Sequence, residues 1–172
     1  DGYLIPKNDE FFGEYIPNYK DNLKYISNFT GSYGFALILK NENYLFIDGR
    51  YTLQARKQSK KLFNIITMPE KLPSDILKKR KLTIGFDPKL HTELTISRIF
   101  KKSMCRLIPI KQNLINDSRV KKNKNRIKNF FLLKDKEAGK SSKKNINKLS
   151  RILYKNKVDL QFVTASENIA WL

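Results

Sequence analysis

The sequence predicts an α/β domain, a mixed sheet flanked by helices, followed by the first helix and strand of a second domain. Three observations predict it. Two β-rich apolar runs, 34–40 and 44–48, are separated by the polar triplet Asn41-Glu42-Asn43, the pattern of a hairpin. From 51 to 110, segments of helical and strand character alternate, which is how helices layered on a sheet read in sequence. Between 113 and 129 the composition turns to Asn, Lys and Arg with few apolar residues, a break of the kind that separates domains.

The hairpin runs are almost continuously apolar, so both strands are expected to be covered on two faces, and a hairpin argues against an all-parallel sheet. Asp48 stands as N-cap before a helix over 51–58 whose last turn is basic, matching the helix dipole. A strand over 63–67, a short helix over 74–79 and a strand over 82–86 follow. Leu94, Ile96, Ile99 and Phe100 give an amphipathic helix that Thr92 starts, and a strand over 107–110 closes the series. Beyond the break, Ile146, Leu149, Ile152 and Leu153 recur at helical spacing with Ser141 or Ser142 as cap, and 160–164 reads as a strand. A lone helix and strand cannot bury their apolar faces. The expected division is therefore a first domain over 1–116, a basic interdomain linker over 117–138, and over 139–172 the start of a second domain whose remainder lies outside this sequence.

At 172 residues the chain is long enough for one domain of ordinary size, and 40% hydrophobic content with 8 Tyr and 11 Phe supplies a packed core. No run approaches the roughly 18 apolar residues of a membrane helix. Residues 1–10 lack the basic and apolar regions of a signal peptide, so a soluble, cytoplasmic protein without a membrane partner is expected. The net charge of +19 would suit a nucleic acid or an anionic surface. The basic residues are nevertheless spread along the chain and accompany abundant Asn and Ile, as an A/T-rich coding sequence produces. A solvated lysine-rich surface is one reading and a functional electrostatic role the other. As a nucleic-acid arm the 113–129 segment is disfavoured, because it lacks the interleaved aromatics on which bases stack.

Little in the chain speaks of catalysis. Metal sites need several His, Cys, Asp or Glu side chains that converge, and there is one His and one Cys. His91 lies in what reads as a strand-to-helix loop, where a surface or capping role is expected. Cys105, just before an apolar run, reads as a buried or half-buried structural thiol. Gly31-Ser32-Tyr33-Gly34 precedes a strand and does not open a helix, which excludes the phosphate-binding glycine loops. What stands out is a pair of loops, 29–34 before the hairpin and 48–51 after it, which antiparallel pairing would bring to the same end of the sheet. There Gly49 would let the backbone turn sharply, and the Arg50 guanidinium offers a planar fork of donors for a carboxylate or a peptide carbonyl. Pairing of Arg50 with Asp48, merely fixing the turn, is the alternative, and spacing alone leaves both open.

At these residues the sequence resembles the N-terminal, creatinase-like domain of the Xaa-Pro aminopeptidases, in the peptidase family that includes prolidase. The blocks that carry the resemblance are 1–6 with Asp9-Glu10, Glu14-Tyr15-Ile16-Pro17, Phe29-Thr30-Gly31-Ser32 with Gly34, and Asp48-Gly49-Arg50-Tyr51 with Gln54-Ala55. They continue with Gly85-Phe86-Asp87-Pro88, Asn113-Leu114-Ile115, Val163-Thr164-Ala165 and 167–172. Together they span the chain in order, most closely in the long, three-domain form. After Ile115, where that form carries an acidic residue, Trp and Arg-Pro, this chain has Asn116-Asp117-Ser118-Arg119.

The resemblance implies a non-catalytic first domain and the start of a second, similar one, followed by a catalytic domain that binds two divalent metals, usually manganese. No catalytic residue and no metal ligand is expected within this chain, which alone would be inactive. The implied substrates are peptides with proline in second position, the implied assembly a homodimer. Of the family's peptide-contacting residues, the one that falls here is the arginine matching Arg50.

Overall fold

The computed structural model describes residues 1–119, 129 and 131–172, and the chain divides into two compact units, Asp1–Val120 and Lys121–Leu172. The first unit is built on a sheet of six strands: β1 (Gly2–Pro6), β2 (Gly34–Leu39), β3 (Asn43–Asp48), β4 (Asn64–Met68), β5 (Thr83–Phe86) and β6 (Arg106–Pro109), in the spatial order β4-β3-β2-β1-β5-β6. Strand β2 runs antiparallel to both β1 and β3, whereas β1–β5, β5–β6 and β3–β4 are parallel. The predicted mixed sheet and hairpin are both present.

Because successive side chains of a strand point to opposite faces, the central strands feed two cores. Leu4, Phe35, Leu37, Leu39, Phe46 and Ile84 meet Leu77, Ile96, Ile99 and Phe100 on one face. These last four come from or flank helices α3 (Pro73–Leu77) and α4 (Glu93–Ile99). On the other face Tyr3, Ile5, Ala36, Leu45 and Ile47 meet Leu23, Phe29, Ala55 and Phe63, packed under α1 (Asn22–Ser27) and α2 (Thr52–Ser59). Full burial of each large apolar side chain contributes about 1.5–3 kcal/mol, which explains why the hairpin strands carry no polar alternation.

Among the strands and α-helices of this unit, three were not predicted: β1, α1 and a short helix over 114–118, α5. Strand β1, Gly-Tyr-Leu-Ile-Pro, sits in the middle of the sheet, and α1 is capped by Asp21, whose carboxylate accepts the Lys24 N–H at 3.0 Å. Thr92 caps α4 as expected, accepting the Thr95 N–H, but Leu94 is 78% exposed. The apolar face of α4 starts at Ile96, from which Ile99 and Phe100 follow at i+3 and i+4. Helix α5 (Leu114–Ser118) crosses position 116, its first turn capped by Asn113. Arg119 then donates to the carbonyls of Tyr19 and Asp21 and lies over the Tyr25 ring.

The expected linker falls partly outside the described residues, at 120–128 and 130. In the second unit the described elements are α6 (Asp135–Ala138), α7 (Ser142–Lys155) and α8 (Ser166–Trp171). Ser141 occupies the N-cap position of α7 without a side-chain capping bond. Residues 160–164 form no strand, and Leu160 is 79% and Phe162 85% exposed. A strand needs a ladder partner for its N–H and C=O groups, and none is present among the described residues. Leu149 and Ile152 of α7 line a groove of about 440 Å³ with Trp171 and Leu172. Among the described residues no helix is long and apolar enough to cross a membrane.

Candidate functional site

The register of the hairpin sets Gly34 opposite Ile47, so the chain entering β2 and the chain leaving β3 lie side by side at one end of the sheet, as antiparallel pairing predicts. The loop before β2 is tightly packed. A Cβ at Gly31 would sit 2.2 Å from the buried Phe29 ring, and one at Gly34 would sit 2.7 Å from the Phe46 carbonyl oxygen. Gly49 differs from the sequence expectation. Its backbone stays outside the left-handed region, and a Cβ there would make only an ordinary contact with Thr67 at 3.6 Å. The sharp turn after β3 is made by its cap.

That turn is a 3₁₀ turn, Gly49–Tyr51, with Asp48 at its N-cap. Asp48 Oδ1 accepts the Arg50 backbone N–H at 2.9 Å and Arg50 Nε at 2.9 Å, and Oδ2 accepts Nη2 at 3.4 Å. The guanidinium therefore gives its side-on edge, Nε and Nη2, to its own cap. Among the described residues no acceptor meets Nη1, and the Arg50 side chain is 73% exposed. Hydrogen bonds from Arg50 hold the Asp48 carboxyl below the usual carboxylate range, and Asp48 in turn raises the guanidinium.

Tyr51 supports the group from one side. Its ring lies 5.6 Å from the Arg50 guanidinium carbon, packs against the edge of Phe29 at 5.8 Å, and its hydroxyl shares a 2.7 Å hydrogen bond with Ser32. A second tie between the loops joins Thr30 to α2. Its Oγ1 accepts from Gln54 at 2.8 Å and Gln58 at 2.9 Å, and its N–H donates to Gln58 Oε1 at 3.0 Å. Sequence reading missed this tie, although two glutamines at i and i+4 on one helix face, beside a hydroxyl-bearing loop, could have signalled it. The pair with Asp48 is made, as one reading of Arg50 expected, and it leaves an end-on pair of N–H directions pointing away from the carboxylate.

The remaining chemistry-bearing residues lie elsewhere. His91 is half-buried rather than on the surface and caps no helix with its side chain. Its ring meets the Phe86 ring edge-on at 5.9 Å, and its Nε2 is buried without a partner among the described residues. Burial lowers its pKa to about 4 against the opposing pull of Asp87, so the ring is neutral near pH 7. Cys105 is half-buried, its thiol 3.6 Å from the Arg80 carbonyl oxygen. Among the described residues no three His, Cys, Asp or Glu side chains gather into a set that could hold a metal ion.

Residues 1–121 match the creatinase/prolidase N-terminal domain family. The whole chain aligns at 33% identity with a probable Xaa-Pro aminopeptidase P of Coprinopsis cinerea, covering 29% of that protein. It aligns over 99% of its length, at 30% identity, with Xaa-Pro aminopeptidase 1 of Dictyostelium discoideum, covering 30% of it. Among solved structures, the X-prolyl aminopeptidase of Caenorhabditis elegans, described as a cytosolic enzyme with a di-nuclear active site, superposes on 99% of the chain. The TM-score is 0.70 at 26% identity, and 29% of that enzyme is covered. The chain thus spans under a third of the length of these relatives.

Proposed function

The chain belongs to the creatinase/prolidase N-terminal domain family, and on that premise we propose that it is the non-catalytic front portion of a metal-dependent Xaa-Pro aminopeptidase, with Arg50 contacting the peptide. The parent enzyme removes the N-terminal residue that precedes a proline. The observation that carries the role of this portion is the Arg50 guanidinium at the hairpin mouth, fixed along one edge by Asp48 and open along the other. An oriented fork of donors beside a reaction centre lowers the cost of placing a peptide for attack.

The two divalent metals of the parent, manganese in this reading, are held by other parts of it. The described residues of this chain do not fit them, since no ligand set forms here. The segment over 139–172 begins a second domain of similar type, a reading supported by the exposed apolar residues Ile146, Ile152, Leu160 and Phe162. The parent acts in the cytoplasm, a reading supported by the C. elegans neighbour's description as cytosolic, and as a homodimer, which light scattering of the purified parent tests.

The activity is tested on the parent enzyme with Xaa-Pro-Xaa peptides. Arg50→Ala is expected to raise KM or lower kcat/KM while the melting temperature stays unchanged. Unchanged kinetics would return Arg50 to a purely structural part of the turn. This chain by itself, supplied with manganese, is expected to leave the same peptides intact, and measurable turnover would overturn the non-catalytic assignment.

A further inference from the structure

Resting on the peptide-contact reading of Arg50, we propose that Asp48 is the positioning residue of that contact: its carboxylate locks the side-on edge of the guanidinium so that the end-on edge faces the peptide. An N-cap needs one oxygen that accepts one backbone N–H, and Asn or Ser supplies it as well as Asp does. Here Oδ1 accepts the Arg50 N–H. The same oxygen also takes Nε, and Oδ2 takes Nη2. The charge and the second oxygen are surplus to capping, and what they do is hold the guanidinium. Tyr51, tied to Ser32, supports the same group, so the rotamer is held along its edge and against a ring.

The pair adds little to stability, because an ion pair this exposed is screened by water and salt. Its consequence lies in binding. A free arginine loses rotamer freedom when it meets a ligand, and one already ordered does not. Release from Asp48 should therefore weaken substrate binding by roughly threefold to tenfold.

The test uses the full-length parent with Xaa-Pro-Xaa peptides and four proteins: wild type, Asp48→Asn, Arg50→Ala and the double variant. Asp48→Asn keeps the capping oxygen and removes the charge. Asp48→Ser, which also caps, replaces it if Asn disturbs the turn. The expected result is a KM raised roughly threefold to tenfold with kcat nearly unchanged and the melting temperature retained. In the Arg50→Ala background the same change should add nothing, because the group it positions is gone. Two results would overturn the proposal: wild-type KM in Asp48→Asn while Arg50→Ala is impaired, or an Asp48→Asn effect of equal size with and without Arg50. If Arg50→Ala itself leaves KM and kcat/KM unchanged, the peptide-contact reading falls, and the positioning role with it.

Discussion

At the end of β3, Asp48 caps a 3₁₀ turn by accepting the N–H of Arg50 at 2.9 Å; just past β5, Asp87 caps another, Pro88–Leu90, by accepting the N–H of Lys89 at 2.9 Å. The two turns share a backbone device and differ in what surrounds the second carboxylate oxygen. Asp87 is 6% exposed, and its Oδ2 accepts Asn113 Nδ2 at 2.8 Å, which joins this turn to the cap of α5. Asp48 is more exposed, and its Oδ2 accepts the guanidinium of the residue it caps. The same local chemistry fastens the fold where it is buried and presents a cation where it is not. Burial, which is set by distant parts of the chain, decides between the two.

The largest expected difference between the turns is their response to acid, through His91. Its pKa is lowered to about 4 by burial, while the unfolded chain holds it near 6.5. Between those values the unfolded state binds the extra proton. The stability contributed by the neutral ring is therefore complete above pH 6.5 and is lost as pH falls toward 4, by up to about 3 kcal/mol. Denaturation of wild type and His91→Asn across this window checks it, and the variant should show the flatter profile. Asp48, also held below the usual carboxylate range, should add to that slope only at its acid end, as pH approaches the unfolded carboxylate value of about 3.9.

Next in size is Asp87→Ala, expected to cost about 2 kcal/mol because the Asn113 amide and the Lys89 N–H lose their acceptor. Asp48→Ala should cost a small fraction of this in the same urea titration, since water reaches its partners. A glycine beside each cap extends the contrast: Gly85 lies two residues before Asp87, and Gly49 directly follows Asp48. A Cβ at Gly85 would lie 2.5 Å from Ile110 Cδ1 and 3.2 Å from the Tyr3 ring, so Gly85→Ala should destabilise by roughly 1–2 kcal/mol through overpacking. At Gly49 the nearest atom is at ordinary contact distance, and Gly49→Ala should stay within about 0.5 kcal/mol of wild type. Equal melting shifts for these two substitutions would erase the distinction between the turns.

What the sequence made legible was local. The hairpin, the Asp48 cap, the Thr92 cap and the alternation from 51 to 110 all follow from patterns a few residues long. Strand β1 did not, because five residues without alternation become a strand only when β2 and β5 arrive on either side. The strand expected at 160–164 failed for the converse reason: its residues favour extension, but the described residues offer no ladder. At the candidate site, Arg50, Asp48 and the meeting of the two loops could be read from spacing and hairpin geometry. The division of the guanidinium into a held and an open edge could not, because it depends on a rotamer. Nor could the burial of His91, which depends on Phe86 and on how the sheet is covered.

The place of β1 also governs how the chain can assemble. Its residues leave the ribosome before those of every other strand of this sheet, yet Gly2 pairs with Ile84 and Leu4 with Phe86 across a parallel ladder. The early antiparallel neighbour β2 can be recruited soon after synthesis, whereas the opposite edge of β1 stays open until β5 emerges. Such long-range pairing must pay loop-closure entropy before it is rewarded. The nascent domain therefore carries an unpaired apolar edge through much of its translation, an aggregation hazard that closes only when β5 docks.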